Sequence, residues 1–242
     1  MTFSQRLTEG FLQMGYPISD AQAQQMESFF SHLITVNEQM NLTAVVSEEE
    51  AVPRHFLDSA APLLQNWLKP NMRCIDVGAG AGFPGIVLAI LRPDLSFTLV
   101  DSLRKRVQFM QEVRTRLGLS NVQALHGRAE EIGQSRIHRE QYDCVLSRAV
   151  ANLPVLCEYC LPLAKPQKGC MIAYKGPSAK EESLQAQYAC RVLGGYTPQI
   201  FQGHVPGLDH QLVYIQKIRP TPPKFPRRAG TPAKDPLTKS VK

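Results

Sequence analysis

The run Asp76-Val-Gly-Ala-Gly-Ala-Gly-Phe-Pro-Gly85 follows a short apolar segment and sets four glycines within eight residues. Closely spaced glycines after a β-strand let the backbone turn sharply and come close to a ligand. The helix that follows offers unpaired N–H groups carrying partial positive charge. The run therefore predicts a strand, a tight turn and a helix built around a nucleotide-like molecule, with a ligand-free structural turn as the plain alternative.

Two registers fit the run. Gly80-Ala-Gly82-Phe-Pro-Gly85 satisfies G-x-G-x-x-G, the spacing of a dinucleotide site, and Asp76-Val-Gly78-Ala-Gly80-Ala-Gly82 satisfies D-x-G-x-G-x-G, the spacing of an S-adenosylmethionine site. In a dinucleotide site the first glycine directly ends the strand. The strand here ends at about Val77, which makes Gly78 that glycine and puts Phe83 where the third should stand. Asp76 also sits poorly beside a pyrophosphate but well near the cationic amino and sulfonium groups of S-adenosylmethionine. The second register is favoured. The next strand ends in Leu99-Val100-Asp101, whose acid suits the ribose hydroxyls of either molecule and also the start of the following helix.

Short apolar segments near 73–77, 96–100, 123–125, 144–147 and 170–174 alternate with helical stretches, the pattern of a parallel sheet covered on both faces. Two more, near 197–202 and 211–218, leave no room for a crossover helix and are expected to pair antiparallel. Upstream, Ser19 caps an amphipathic helix that lines up Met26, Phe29, Phe30, Leu33 and Ile34. Ser47-Glu-Glu-Glu50 reads as a capping box, and a further helix is expected from about 53 to 68, with Pro53 in its first turn. At 242 residues the chain suits one core with additions. These are a helical region over 1–70 packed on the core, an α/β domain over 71–218 and a tail over 219–242.

The tail holds all the excess charge: seven Lys/Arg and six prolines against one acid, Asp235, out of a net +6. It suits an extended arm for a polyanion such as RNA, or a solvated terminus with no partner. Apolar runs stop far short of a bilayer span and the start lacks a signal-peptide pattern, so a cytoplasmic protein without membrane attachment is expected. The six cysteines read as reduced core residues, and Cys157-Glu-Tyr-Cys160 lacks the second ligand pair of a zinc site. No metal is expected.

Asn37-x3-Asn41-Leu-Thr43, Arg54-His-Phe-Leu-Asp-Ser59, the glycine run through Phe83-Pro-Gly85, Val100-Asp-Ser102 with Lys105-Arg106, Ala129-Glu130 and Ser147-Arg-Ala149 occur in this order. Together with Arg227-Arg-Ala-Gly-Thr-Pro-Ala-Lys-Asp-Pro-Leu237 they resemble the bacterial small-subunit ribosomal RNA guanine-N7 methyltransferases, the RsmG or glucose-inhibited division protein B family. One departure is Val36, where members often carry tryptophan, a difference that bears on packing of the helical region. The resemblance implies a Rossmann-like class I methyltransferase fold with a mostly parallel seven-stranded sheet, its last strand antiparallel. It implies S-adenosylmethionine as donor and a guanine of 16S ribosomal RNA, free or in the small-subunit particle, as acceptor. Gly78 and Phe83 would line the methionine and ribose end, Ala129 and Glu130 the adenine, and Arg148 the edge near the transferred methyl.

Each has a plainer reading: Phe83 as core, Ala129-Glu130 as a helix start, Arg148 as a surface charge. Arg54, His55 and Asp58 sit at helical spacing and pair with one another in one reading, face RNA or form a lid in another. Guanine N7 has a lone pair and no proton to lose, so no general base is needed and no catalytic residue is assigned. Positioning is the main demand. The basic set Arg104, Lys105, Arg106, Arg114 and Arg116 is expected to hold phosphates, and the chain to act as a monomer. Two other readings stay open: a nicotinamide-dependent oxidoreductase using Gly80 to Gly85, and a non-catalytic RNA-binding assembly factor.

Overall fold

A computed structural model describes residues 1–238. The chain opens with α1 (Phe3–Gln13) and α2 (Asp20–Met40). The Ser19 hydroxyl accepts the Gln22 N–H while the Gln22 side chain returns to the Ser19 N–H, a complete capping box. Met26, Phe29, Phe30 and Leu33 are buried along α2.

The next helical stretch starts earlier than residue 53, at the Ser47 cap, whose hydroxyl accepts the Glu50 N–H. It is a rod of changing pitch: α3 (Glu48–Ala51), a π-helical turn (Val52–Leu57), α4 (Asp58–Ala60) and a 3₁₀ turn (Ala61–Gln65). Pro53 therefore sits inside the rod, where the wide turn, closed by Asp58 N–H to Pro53 O, accommodates a residue without an N–H.

The α/β portion runs β1 (Arg73–Val77), α5 (Gly85–Leu91), β2 (Ser96–Asp101), α6 (Arg104–Arg116), β3 (Val122–His126), α7 (Ala129–Gln134), β4 (Cys144–Arg148), α8 (Leu153–Cys160), β5 (Cys170–Lys175), α9 (Ala179–Leu193), β6 (Gln199–Gln202) and β7 (Gln211–Gln216); a short α10 (Thr231–Lys234) follows. The seven strands form one sheet in the order β3-β2-β1-β4-β5-β7-β6. The first five are parallel, and β7 pairs antiparallel with both β5 and β6.

Alternation along each strand divides the core in two. Cys74, Phe97, Leu99, Leu146 and Ile172 face one side, where α1, α2, the residue 48–65 rod, α5 and α6 supply Phe3, Phe29, Phe56, Ile86 and Phe109. Ile75, Val77, Val145, Met171 and Ile215 face the other, against Leu156, Cys157 and Cys160 of α8 and Ala186 and Leu193 of α9. All six cysteines are buried and unpaired. The helical region shares the first of these cores with the sheet. Strand order reverses between β1 and β4, which opens a crevice at their carboxyl ends, the usual ligand position in such sheets.

Residues 219–238 correct the expectation of an extended arm, because buried groups hold them against α7, α8 and α9. Lys217 is fully buried, and its Nζ donates to Leu161 O at 2.7 Å, Leu193 O at 3.1 Å and the Thr221 hydroxyl. Burial pushes its pKa down to about 8. The Arg139 guanidinium donates to Thr221 O and Phe225 O, each at 2.7 Å, and the Phe225 ring is buried. Arg227 brings its backbone N–H (2.8 Å), Nε (2.9 Å) and Nη2 (2.7 Å) to the fully buried Glu158 carboxylate. Composition shows the cations of this segment but not the buried acid that waits for one of them.

Candidate active site

The glycine turn spans the gap from the end of β1 at Val77 to the start of α5 at Gly85. Gly78, Gly80 and Gly82 all take left-handed backbone (φ 74°, 59° and 96°), which residues with a Cβ rarely adopt. Two carboxylates shape the turn from below. Asp76 is fully buried and accepts the Gly85 N–H at 2.9 Å, while its second oxygen has no hydrogen-bond partner. Burial pushes its pKa up to about 7. Asp101, also buried, accepts Gly80 N–H at 3.0 Å through one oxygen and Leu103 N–H at 2.9 Å through the other. It thus ties the turn to the start of α6, and Arg106 lies 3.5 Å away. A Cβ on Gly80 would make only an ordinary contact, 3.9 Å from Gly78 O, whereas one on Gly78 would overlap the Val150 side chain.

The Phe83 ring is buried. It stacks on His55 (centroids 4.4 Å apart), tilts against Phe29 (4.9 Å) and meets Phe56 edge-on, because the N-terminal helices close over the glycine turn and take the ring into their core. The Arg148 guanidinium lies 5.4 Å above the same ring. Arg148 stands at the end of β4, where neighbouring Ser147 donates to Val77 O at 2.9 Å and fastens β4 to the strand that carries the turn.

Arg148 reaches across to the helical region and donates to Asp58 Oδ2 and to Arg54 O, both at 2.9 Å. His210, in the connection between β6 and β7, lies 3.0 Å from the other Asp58 oxygen, which raises its pKa. Arg54, His55 and Asp58 therefore do not pair among themselves; Asp58 is buried between two partners from distant parts of the chain. With Arg54, His55, Tyr174 and Lys175 these groups line a cavity of about 530 Å³.

At the third strand's end, Ala129 and Glu130 open α7. Glu130 is buried, and its carboxylate accepts the Gly230 N–H at 2.7 Å, a partner from the C-terminal segment. Of the basic set on α6, Arg104, Lys105 and Arg116 are exposed, while Arg106 is partly drawn in by Asp101. Among the described residues no cluster of three or more His, Cys, Asp or Glu is arranged to hold a metal, and no helix is long and apolar enough to cross a membrane.

Residues 22–211 match the family model described as GidB, rRNA small subunit methyltransferase G. The chain belongs to this family. Two relatives named ribosomal RNA small subunit methyltransferase G, from Alkaliphilus metalliredigens and Pelotomaculum thermopropionicum, are 48% and 44% identical to it. The alignments cover 96% and 97% of this chain and 97% and 98% of the relatives. Among solved structures, a SAM-dependent methyltransferase from Aquifex aeolicus superposes with a TM-score of 0.51 at 17% identity, covering 70% of this chain and 93% of that one. A protein from Methanococcus maripaludis, described as an S-adenosylmethionine-dependent methyltransferase, gives 0.52 at 14% identity over 78% and 92%. The fold is that of the class I methyltransferases.

Motifs shared with the rRNA small subunit methyltransferase G family have identifiable jobs here. Asn37 clamps the end of α2 by bonding both N–H and C=O of Thr43 at 2.8 and 3.0 Å. The Thr43 hydroxyl lies 2.9 Å from His55 Nε2, which fixes the imidazole that stacks on Phe83. Burial, aided by the Arg148 charge, pulls the His55 pKa down to about 4 and keeps the ring neutral. His210 and Tyr174 escaped the sequence reading: neither belongs to the motifs, and only the packed sheet brings them beside Asp58.

Proposed function

We propose that the chain transfers a methyl group from S-adenosylmethionine to N7 of a guanine in 16S ribosomal RNA. One arrangement carries this reading: Arg148 lies over Phe83 of the glycine turn and also lines the cavity shared by Arg54, His55, Asp58, Tyr174 and His210. A donor in the turn and a base in the cavity would meet at its guanidinium.

The turn fits such a donor. Its glycines take left-handed backbone, Gly80 is only half-buried, and the acid of Asp101 stands at the end of β2. The Gly78 and Phe83 backbone would take the methionine and ribose end, Asp101 the ribose, Ala129 and Glu130 the adenine, and Arg148 the edge near the methyl. When bound, S-adenosylmethionine supplies a methyl group on a cationic sulfur.

The chain itself has only to orient. N7 carries its lone pair in the base plane and gives up no proton, so neutral His55, locked by Thr43, serves as a wall rather than a base. The Asp58 carboxylate pairs with Arg148 at 2.9 Å, which limits repulsion between the guanidinium and the cationic product. Because A-form RNA hides N7 in its deep groove, the target guanine is unpaired or displaced when it enters. Exposed Arg54, Arg104, Lys105 and Arg116 would hold flanking phosphates. The chain acts as a cytoplasmic monomer on the RNA or on the small-subunit particle.

Incubation with methyl-labelled S-adenosylmethionine and small-subunit RNA or particles tests this. Label recovered as 7-methylguanosine supports it. Donor bound without label in RNA would favour a non-catalytic assembly factor, and label on protein, carbon or an exocyclic nitrogen would refute the N7 assignment.

A further inference from the structure

We infer that the C-terminal segment is part of the donor-binding half of the enzyme, with Gly230 and Pro226 acting through α7 to position Ala129 and Glu130. The inference rests on the reading of Ala129 and Glu130 as the adenine end of the site.

α7 has six residues, too few to hold its place by helical hydrogen bonds alone. The C-terminal segment grips it along one face, at positions spaced i, i+3 and i+4. Glu130 accepts the Gly230 N–H at 2.7 Å. Gly133 lies so close to the tail that an added Cβ would stand 2.8 Å from Pro226 Cγ. Gln134 Nε2 donates to Pro226 O at 2.8 Å. The segment is in turn pinned to α8 by Arg227 on buried Glu158, and to Arg139 through the carbonyls of Thr221 and Phe225. Gly230 presents its N–H from a left-handed backbone (φ 83°), a conformation suited to glycine.

The chemistry at Glu130 follows. One carboxylate oxygen is committed to Gly230, and the other, without a hydrogen-bond partner among the described residues, would accept from an amino group such as that of adenine. Without the Gly230 N–H, the buried carboxylate would swing or draw in water, and the first turn of α7 would lose its fixed position. The segment thus contributes to donor affinity through place, without touching the reacting atoms, and Gly230 and Gln134 are positioning residues.

The test measures S-adenosylmethionine affinity by titration calorimetry, together with KM for the donor and kcat at saturating donor, in full-length Gly230→Pro, Glu130→Ala and the double variant. Gly230→Pro removes the N–H and also the left-handed backbone, because the proline ring fixes φ at about −65°. Loss of the bond to the buried carboxylate predicts a donor Kd weaker by about tenfold or more, with KM rising alike and kcat within about twofold. Coupling through one bond predicts a double variant no weaker than Glu130→Ala. Should Gly230→Pro fold poorly, Gln134→Ala removes the neighbouring bond and is expected to weaken donor binding severalfold. Wild-type affinity in both Gly230→Pro and Gln134→Ala alongside weakened Glu130→Ala would overturn the positioning role and leave the adenine reading intact. Wild-type affinity in Glu130→Ala would overturn the adenine reading itself. A fall in melting temperature with unchanged Kd would show a purely structural tail.

Discussion

The guanidinium of Arg148, at the end of the fourth strand, lies 2.9 Å from the carboxylate of Asp58, in the helical region that precedes the sheet. This contact joins the two parts of the molecule across the mouth of the crevice, and Asp58 holds His210 with its other oxygen. Asp58→Ala would leave a mostly buried guanidinium with the Arg54 carbonyl but without its counter-charge, a change that typically costs about 3–5 kcal/mol. The His210 pKa should then fall back toward its ordinary value, since the Asp58 bond is the main cause of its rise. Denaturant unfolding and an NMR titration of the His210 ring report the two effects. An unmoved His210 would mean that its charge does not depend on Asp58.

Gly78→Asp places a side chain where Val150 already lies and a β-carbon on left-handed backbone. Conformational strain alone costs about 1–2 kcal/mol. Donor binding should be lost in calorimetry while circular dichroism still shows the α/β fold. Wild-type affinity would place the donor elsewhere.

His55 and Asp76 give stability opposite dependences on pH. His55 is neutral in the folded chain down to about 4, so between there and 6.5 the unfolded chain binds the extra proton and stability rises with pH. Asp76 keeps its proton in the folded chain up to about 7, so from 3.8 upward the unfolded chain has the fewer protons and stability falls with rising pH. Asp76→Asn removes the second slope. Its unfolding free energy relative to the wild type should grow by about 3 kcal/mol from pH 4 to pH 7, at about 1.36 kcal/mol per pKa unit. A constant difference in urea unfolding across that range would contradict the buried, protonated Asp76.

Arg227→Met strips the buried Glu158 carboxylate of its guanidinium and leaves it the backbone N–H. A loss of about 3–5 kcal/mol is expected in denaturant unfolding. Because this charge is spent inside the protein, the dependence of RNA binding on salt should not change. Arg104→Ala, on exposed α6, should instead reduce the slope of log K against log salt by about 1. The reverse pattern would restore an RNA-binding role to Arg227.

The sheet was legible because its signal is local. Alternation along 73–77 or 170–174 needs no knowledge of partners, and the glycine spacing announces the turn after Val77. Pairings across long stretches of chain were not legible. Nothing near Arg227 reveals that Glu158 is buried and awaits it, so seven cations in a proline-rich segment look like a free arm. Phe83 shows the same limit. Its place inside the glycine turn does not reveal that the helices folded over the turn pack against its ring. Asp76 differs for a related reason: its charge suggests a ligand contact, but its carboxylate bonds Gly85 and braces the turn from beneath.

A methyl donor brought to guanine N7 by the crevice between Gly78 and Arg148 leaves a chemical mark on the RNA. A methyl at N7 makes the imidazole ring of the base cationic and labile, so borohydride reduction followed by aniline breaks the RNA strand there. Unmethylated small-subunit RNA and particles treated with S-adenosylmethionine and the wild-type chain should show, in at least one of the two, cleavage at one guanine, and those treated with Gly78→Asp should show none. Intact RNA in both after wild-type treatment, or equal cleavage with both proteins, would contradict the account.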